Sequence, residues 1–227
     1  MCTPNVCVQA SCACFSFDQT FRAFNAHRNP FECVGVAHNV GLEHLEGRSV
    51  QGELEASYDS LTSFLAGRYN IAKRDFLPWA SIENAFIDTV PDGYRSFSRL
   101  VRDAAGAERK ILEDLQDILL TVESQKSFER KIDKLVRNIL GKSKMDRQTL
   151  AKLLGLTAVA KHSFNYWNAI SNTDFFHEDA QARRGNGFWA DMVGFVVGVA
   201  ITVATGGGDP VGNGIAAGTF FSNARRR

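Results

Sequence analysis

Apolar residues recur along the chain at steps of three and four, the period of a helix face. Phe31, Val34, His38, Leu42 and Leu45 form the first such stripe. It has a start signal: Asn29 at the N-cap, Pro30 at the first helical position, and Glu32 placed close to a capping box. Gly47 supplies a stop. A second helix is predicted from about Glu53 to Ala66, with Leu54, Tyr58, Leu61, Phe64 and Leu65 inward. A short helix follows Pro78 and carries Trp79, Ile82 and Phe86. Pro91 to Gly93 reads as a turn, and Tyr94 to Ala105 as a helix with Phe97, Leu100 and Val101 inward. The clearest segments are Glu108 to Ser124, Ser127 to Leu140, and a long helix from Arg147 to Ile170 capped by Asp146. Their connections are short, as in a bundle.

The pattern changes after Ile170. Residues 171–187 are polar with two glycines and read as a linker. From Met192 to Ser222 the only charge is Asp209. Gly194, Gly198 and Thr202 share one helix face at a spacing of four, and Gly214, Gly218 and Ser222 share another. The breaker TGGGDPVGN lies between them. This predicts two helices, about Trp189 to Ala204 and about Val211 to Ser222, folded back with their small faces in contact. A bilayer span takes about 20 apolar residues. The uncharged run from Met192 to Thr205 is shorter, nearer the length of a buried core helix. The expected fold class is all-α: an irregular multi-helix bundle with a C-terminal glycine-zipper helical hairpin. The parts are a cysteine-rich arm (1–28), the bundle (29–170), the linker (171–187), and the hairpin with its basic tail (188–227).

Composition narrows the classes of function. The 227 residues are 44% hydrophobic and 22% charged, which suits one globular unit. A net charge of +1 offers no general electrostatic footprint for nucleic acid. Of the five cysteines, Cys2, Cys7, Cys12 and Cys14 fall in the arm and Cys33 in the first helix. Their spacing contains no strict C-x-x-C pair, so no metal site is assigned and the arm is expected to carry free thiols. No secretory signal is evident. The expected location is cytoplasmic or membrane-associated.

Candidate chemistry is sparse. His38 lies on the apolar stripe, so burial is expected, with Asn39 one step aside; His44 is expected to be exposed. Asp191 stands three residues before Gly194. A buried carboxylate requires a partner, either one of Arg225 to Arg227 or a polar bundle residue. The competing reading places Asp191 at the positive start of its helix. His38, Asn39 and Asp191 are therefore the catalytic candidates. Gly194, Gly198, Thr202, Gly214, Gly218, Ser222 and Trp167 are the interaction candidates. His162 and Ser163 are adjacent on a helix and do not face each other as base and nucleophile. Asp174, His177, Glu178 and Asp179 read as a solvated turn. No nucleotide-binding or hydrolase motif occurs, and no cofactor is implied.

Three blocks carry a resemblance: NPFECVGVAHNVGLEHL from Asn29 to Leu45, KHSFNYW from Lys161 to Trp167, and ADMVGFVVGVAI with its glycine-rich continuation from Ala190. Together they resemble a group of uncharacterised bacterial proteins, many from Bacteroidetes. In that group an NP-x-x-x-x-G-x-x-HN-x-x-L block opens a helical domain, and a serine-aromatic-Trp block and an Asp plus glycine-zipper tail close it. The resemblance implies a shared helical fold and marks His38, Asn39, Trp167 and Asp191. It brings no activity. Many members carry a lipoprotein-type leader, from which the cysteine-rich start departs. The tail also resembles the hydrophobic segments of bacteriocins and pore formers. Two functional classes follow. The leading one is a non-catalytic interaction module whose hairpin mediates self-association or contact with a membrane or partner. The other is an enzyme using His38 with Asp191 or Asn39 in a bundle pocket.

Overall fold

The structure, a computed structural model, describes residues 29–46, 54–89, 92–122, 124–142, 145–170, 185–206 and 208–224. Among them are nine α-helices and no strand, as the three-and-four periodicity requires. They are α1 (Glu32–Glu46), α2 (Leu54–Tyr69), α3 (Trp79–Thr89), α4 (Gly93–Asp103), α5 (Gly106–Thr121), α6 (Gln125–Leu140), α7 (Arg147–Ile170), α8 (Gly185–Thr205) and α9 (Pro210–Ala224). A 3-10 turn, Lys73–Asp75, leads into α3.

Caps place several of these starts. Asn29 Oδ1 accepts from the Phe31 amide at 2.9 Å, while its Nδ2 donates to the Leu154 carbonyl on α7 at 2.8 Å. One side chain thus begins α1 and ties it to α7. Asp92 and Ser124 accept from the amides of Arg95 and Ser127 at the starts of α4 and α6. Asp146 does the same for Thr149 at α7. The second helix runs past its expected end to Tyr69 and stops where Asn70 turns left-handed at φ 54°. Leu54, expected inward, is 42% exposed because it opens the helix before the chain meets the core. His44, expected to be exposed, is half-buried and stacks on Phe64 with ring centroids 3.9 Å apart.

The C-terminal hairpin occupies the centre. Every residue of α9 from Val211 to Asn223 is buried. It is enclosed by α8, α1, α2 and α7, while α8 packs also on α4 and α3. A helix apolar around its whole circumference needs such enclosure. Phe220 meets Tyr58, Trp79 and Phe86 at centroid distances of 5.5, 5.3 and 5.3 Å. Trp189 meets Tyr94 and Phe97 at 5.2 and 5.3 Å. Such pairs add to the burial they accompany. From Gly187 onward the exposed positions of α8 are confined to its tip end: Ala200 and residues 203–205. The arm, most of the linker and Arg225 to Arg227 lie outside the described residues, and with them the expectation of free thiols in the arm. Cys33 is disulfide-bonded.

The two glycine registers face each other. A Cβ on Gly194 would sit 2.6 Å from the Ala217 carbonyl oxygen, and one on Gly218 would sit 2.7 Å from that of Asp191. One on Gly198 would collide with the Asn213 carbonyl. Backbone lies directly on backbone there, which only glycine permits. Gly214 takes the ring of Phe195 and a methyl of Val199, so its register packs on side chains as well.

Candidate functional site

α8 begins at Gly185, well before Trp189, so Asp191 lies beyond its first turn. The reading of Asp191 as a charge at the helix start is thereby replaced. It lies inside the molecule with no exposure, paired with polar residues of the bundle. His38 Nε2 is 2.9 Å from Asp191 Oδ1. Trp167 Nε1 donates to Asp191 Oδ2 at 2.7 Å, and the Ser163 hydroxyl donates to the same oxygen. Ser163 and Trp167 are four residues apart on α7 and so share a face. The donors therefore come from α1 and α7, and the acceptor from α8.

The partners fix the protons. Asn39 Nδ2 donates to the His162 carbonyl at 3.0 Å, which turns Asn39 Oδ1 towards His38 Nδ1 at 3.1 Å. An amide oxygen only accepts, so Nδ1 carries a proton. A second proton lies in the bond between Nε2 and Oδ1. The His38–Asp191 pair is then neutral as a whole, whichever atom of that bond holds the proton. This neutrality is what allows both side chains to be fully buried, since an isolated ion there would cost several kcal/mol. Thr219 Oγ1, on α9, donates to the His38 carbonyl at 3.3 Å, so the same position of α1 also holds the second helix of the hairpin.

A second polar clasp closes the hairpin's tip. Asn213 Oδ1 accepts from the Leu77 amide at 2.6 Å, and its Nδ2 donates to the carbonyls of Asp75 and Asp209 at 3.0 Å each. The Asp209 amide donates to the Asp75 carbonyl at 3.2 Å. Gly208 adopts φ 81° and lies against that carbonyl, where a side chain would collide. Burial pushes the Asp209 carboxyl up to about 7, with the Asp75 charge adding to it against the amides of Val211 and Gly212. Among the described residues Asp209 Oδ2 has no hydrogen-bond partner. Trp189 Nε1, Ser222 Oγ and the Tyr58 hydroxyl are also buried without one, and burial alone raises the Tyr58 pKa. All four belong to the hairpin or touch it. Each such atom costs about 1–3 kcal/mol.

The remaining candidates fall into place around these clasps. Gly194, Gly198, Gly214 and Gly218 form the inner seam of the hairpin. Thr202 is buried and returns its hydroxyl to the Gly198 carbonyl at 2.7 Å. Ser222 is fully buried. Trp167 bonds Asp191 while its ring lies against Gly187. His162, set aside as a base, pairs with Glu32 at 3.0 Å, and Lys161 pairs with the same carboxylate at 3.0 Å. Burial opposes the Glu32 charge, but the His162 hydrogen bond and the Lys161 charge hold its carboxyl below the ordinary range. Among the described residues no group of three metal-ligating side chains converges. Asp174 and His177 lie outside those residues.

The residue pattern offered His38, Asn39 and Asp191 as candidates and the resemblance added Trp167 to them; the structure places all four in one hydrogen-bonded cluster. Sequence reasoning missed Ser163 and the tip clasp. Ser163 was readable: it lies one turn before Trp167 on the same face. Asn213 was not, because its partners lie 136 and 138 residues away. No known protein family, curated protein or solved structure matches the chain.

Proposed function

We propose that the chain is a non-catalytic interaction protein whose α8–α9 hairpin is its working part and whose target is a lipid bilayer. The observation that carries this reading is the composition of the hairpin: from Gly187 to Ala224 it holds two charged residues, Asp191 and Asp209. Gly187–Thr205 is long and apolar enough to cross a membrane, and about two thirds of it is buried inside the molecule. A buried core helix has the same composition. The hairpin differs from an ordinary core element in being one continuous apolar unit, closed on itself by backbone contact. At 1.5 Å per residue, α8 spans roughly 30 Å and α9 roughly 22 Å. That geometry suits a re-entrant insertion better than two full crossings. Self-association through the glycine faces is disfavoured, because those faces are already occupied by each other.

The second reading is an enzyme built on His38 with Asp191 and Asn39, and the 2.9 Å contact favours it. It requires solvent to reach the pair. Both side chains are fully buried, and each of their polar atoms already has a protein partner.

The test is protease protection of the full chain on mixed phosphatidylcholine–phosphatidylglycerol vesicles. The expected result is co-flotation with a protected fragment covering 187–224. Digestion patterns identical with and without vesicles, for the wild type and for a variant with an opened hairpin, would overturn the proposal.

A further inference from the structure

The hairpin is bound to the rest of the molecule by two unlike kinds of contact. Along its length the contact is apolar: Phe220 and Phe221 on α2 and α3, Trp189 on α4, Phe195 on α7. At its ends the contact is polar: the Asp191 cluster with Thr219 at the open end, and Asn213 with Asp75 and Leu77 at the tip. These two kinds respond differently to lipid. Acyl chains are as apolar as a protein core, so the hairpin's own apolar surface is nearly as well accommodated in either, and the opposing hydrophobic cost falls on the bundle faces it uncovers, around Tyr58, Phe86 and Phe97. The polar bonds have no counterpart among acyl chains. The clasps are therefore the part of the hairpin's own contacts that lipid cannot replace.

Of the two, the Asp191 cluster is the more decisive. Asp191 is the sole charged residue of α8. All its donors belong to helices outside the hairpin, and they reach across 153, 28 and 24 residues of chain. The side-chain bonds of Thr202 and Thr205 stay within α8. We propose that Asp191 is the latch of an autoinhibited hairpin: its bonds to His38, Ser163 and Trp167 hold α8–α9 in the bundle, and their loss opens the hairpin locally while α5 and α6, which pack on each other away from it, remain folded. The inference rests on the hairpin being the working part of the protein.

The proton arrangement adds a discriminating detail. An amide at position 191 can still accept from Ser163 and Trp167 through its oxygen. It can donate through its nitrogen to Nε2 of a neutral His38 whose other nitrogen keeps its proton. Asp191→Asn therefore preserves the latch, whereas Asp191→Ala removes it.

Hydrogen exchange of the full chain in solution, without lipid, reads the latch directly. In Asp191→Ala the amides of 187–224 should exchange about tenfold faster or more, with those of α5 and α6 unchanged, and Asp191→Asn should match the wild type. Should Asp191→Ala fail to fold, Ser163→Ala and Trp167→Phe carry the same test, each with a smaller acceleration confined to the same segment. Acceleration spread evenly over all helices, or none in the hairpin, would overturn the latch. Local acceleration without any gain in vesicle protection would leave the latch standing and sink the membrane target. Vesicle protection without local acceleration would do the reverse.

Discussion

Gly198 and Gly67 are both helical glycines, yet their surroundings predict opposite effects for the same substitution. Gly198→Ala drives a methyl into the Asn213 backbone, so it should destabilise by roughly 1–3 kcal/mol and lower the melting temperature by several degrees. Gly67 has nothing near its missing side chain, so Gly67→Ala should stabilise by up to about 1 kcal/mol. Thermal melts of both variants measure the contrast. Asp209 makes a pH prediction. Its carboxyl titrates near 7 in the folded chain and near the ordinary 3.8 when unfolded. The folded form thus holds the proton more tightly, and this group's contribution to stability falls as pH rises from about 4 to 7, with the full penalty above. Asp209→Asn removes that slope. Denaturant titrations should find the variant more stable at pH 8 by roughly 1–3 kcal/mol, partial exposure limiting the gain, and level with the wild type near pH 4. A wild-type-like slope in the variant would move the titration to another group.

At the scale of elements, periodicity carried most of the information. Val34, His38 and Leu42 fall on one stripe, and all three are buried on α1. The paired glycine registers anticipated a hairpin, and Gly194 and Gly218 meet the opposite backbone directly. Boundaries were less legible because they depend on tertiary contact. The second helix runs on to Tyr69, and Leu54 stays in solvent although its position follows the stripe. The polar bonds between elements were legible where a residue broke an apolar pattern, as Asp191 and His38 do. They were hidden where the residue looked ordinary. Asn213 sits in a breaker-rich stretch, where an amide needs no explanation. Only the docking of the tip on residues 75–77 gives it a role.

At the scale of the whole molecule, the hairpin is core rather than appendage. The described residues of the bundle surround it, and many of the largest fully buried side chains, Trp189, Phe188, Phe195, Phe220 and Phe221 among them, belong to it. A chain ending at Gly187 should therefore lose the cooperative melt, not merely a membrane-binding tail. A calorimetric scan of that truncation against the full chain measures this. A single sharp transition in the truncated chain would mean that α1–α7 close a core of their own. The central position of α8 and α9 also bears on how the protein is made. Translation delivers α1–α7 first, each with an apolar face turned towards helices not yet synthesised. The nascent chain must wait with its interior open until α8 and α9 emerge to fill it. During that interval, rather than in the finished protein, it is most exposed to aggregation and to capture by chaperones or a nearby bilayer.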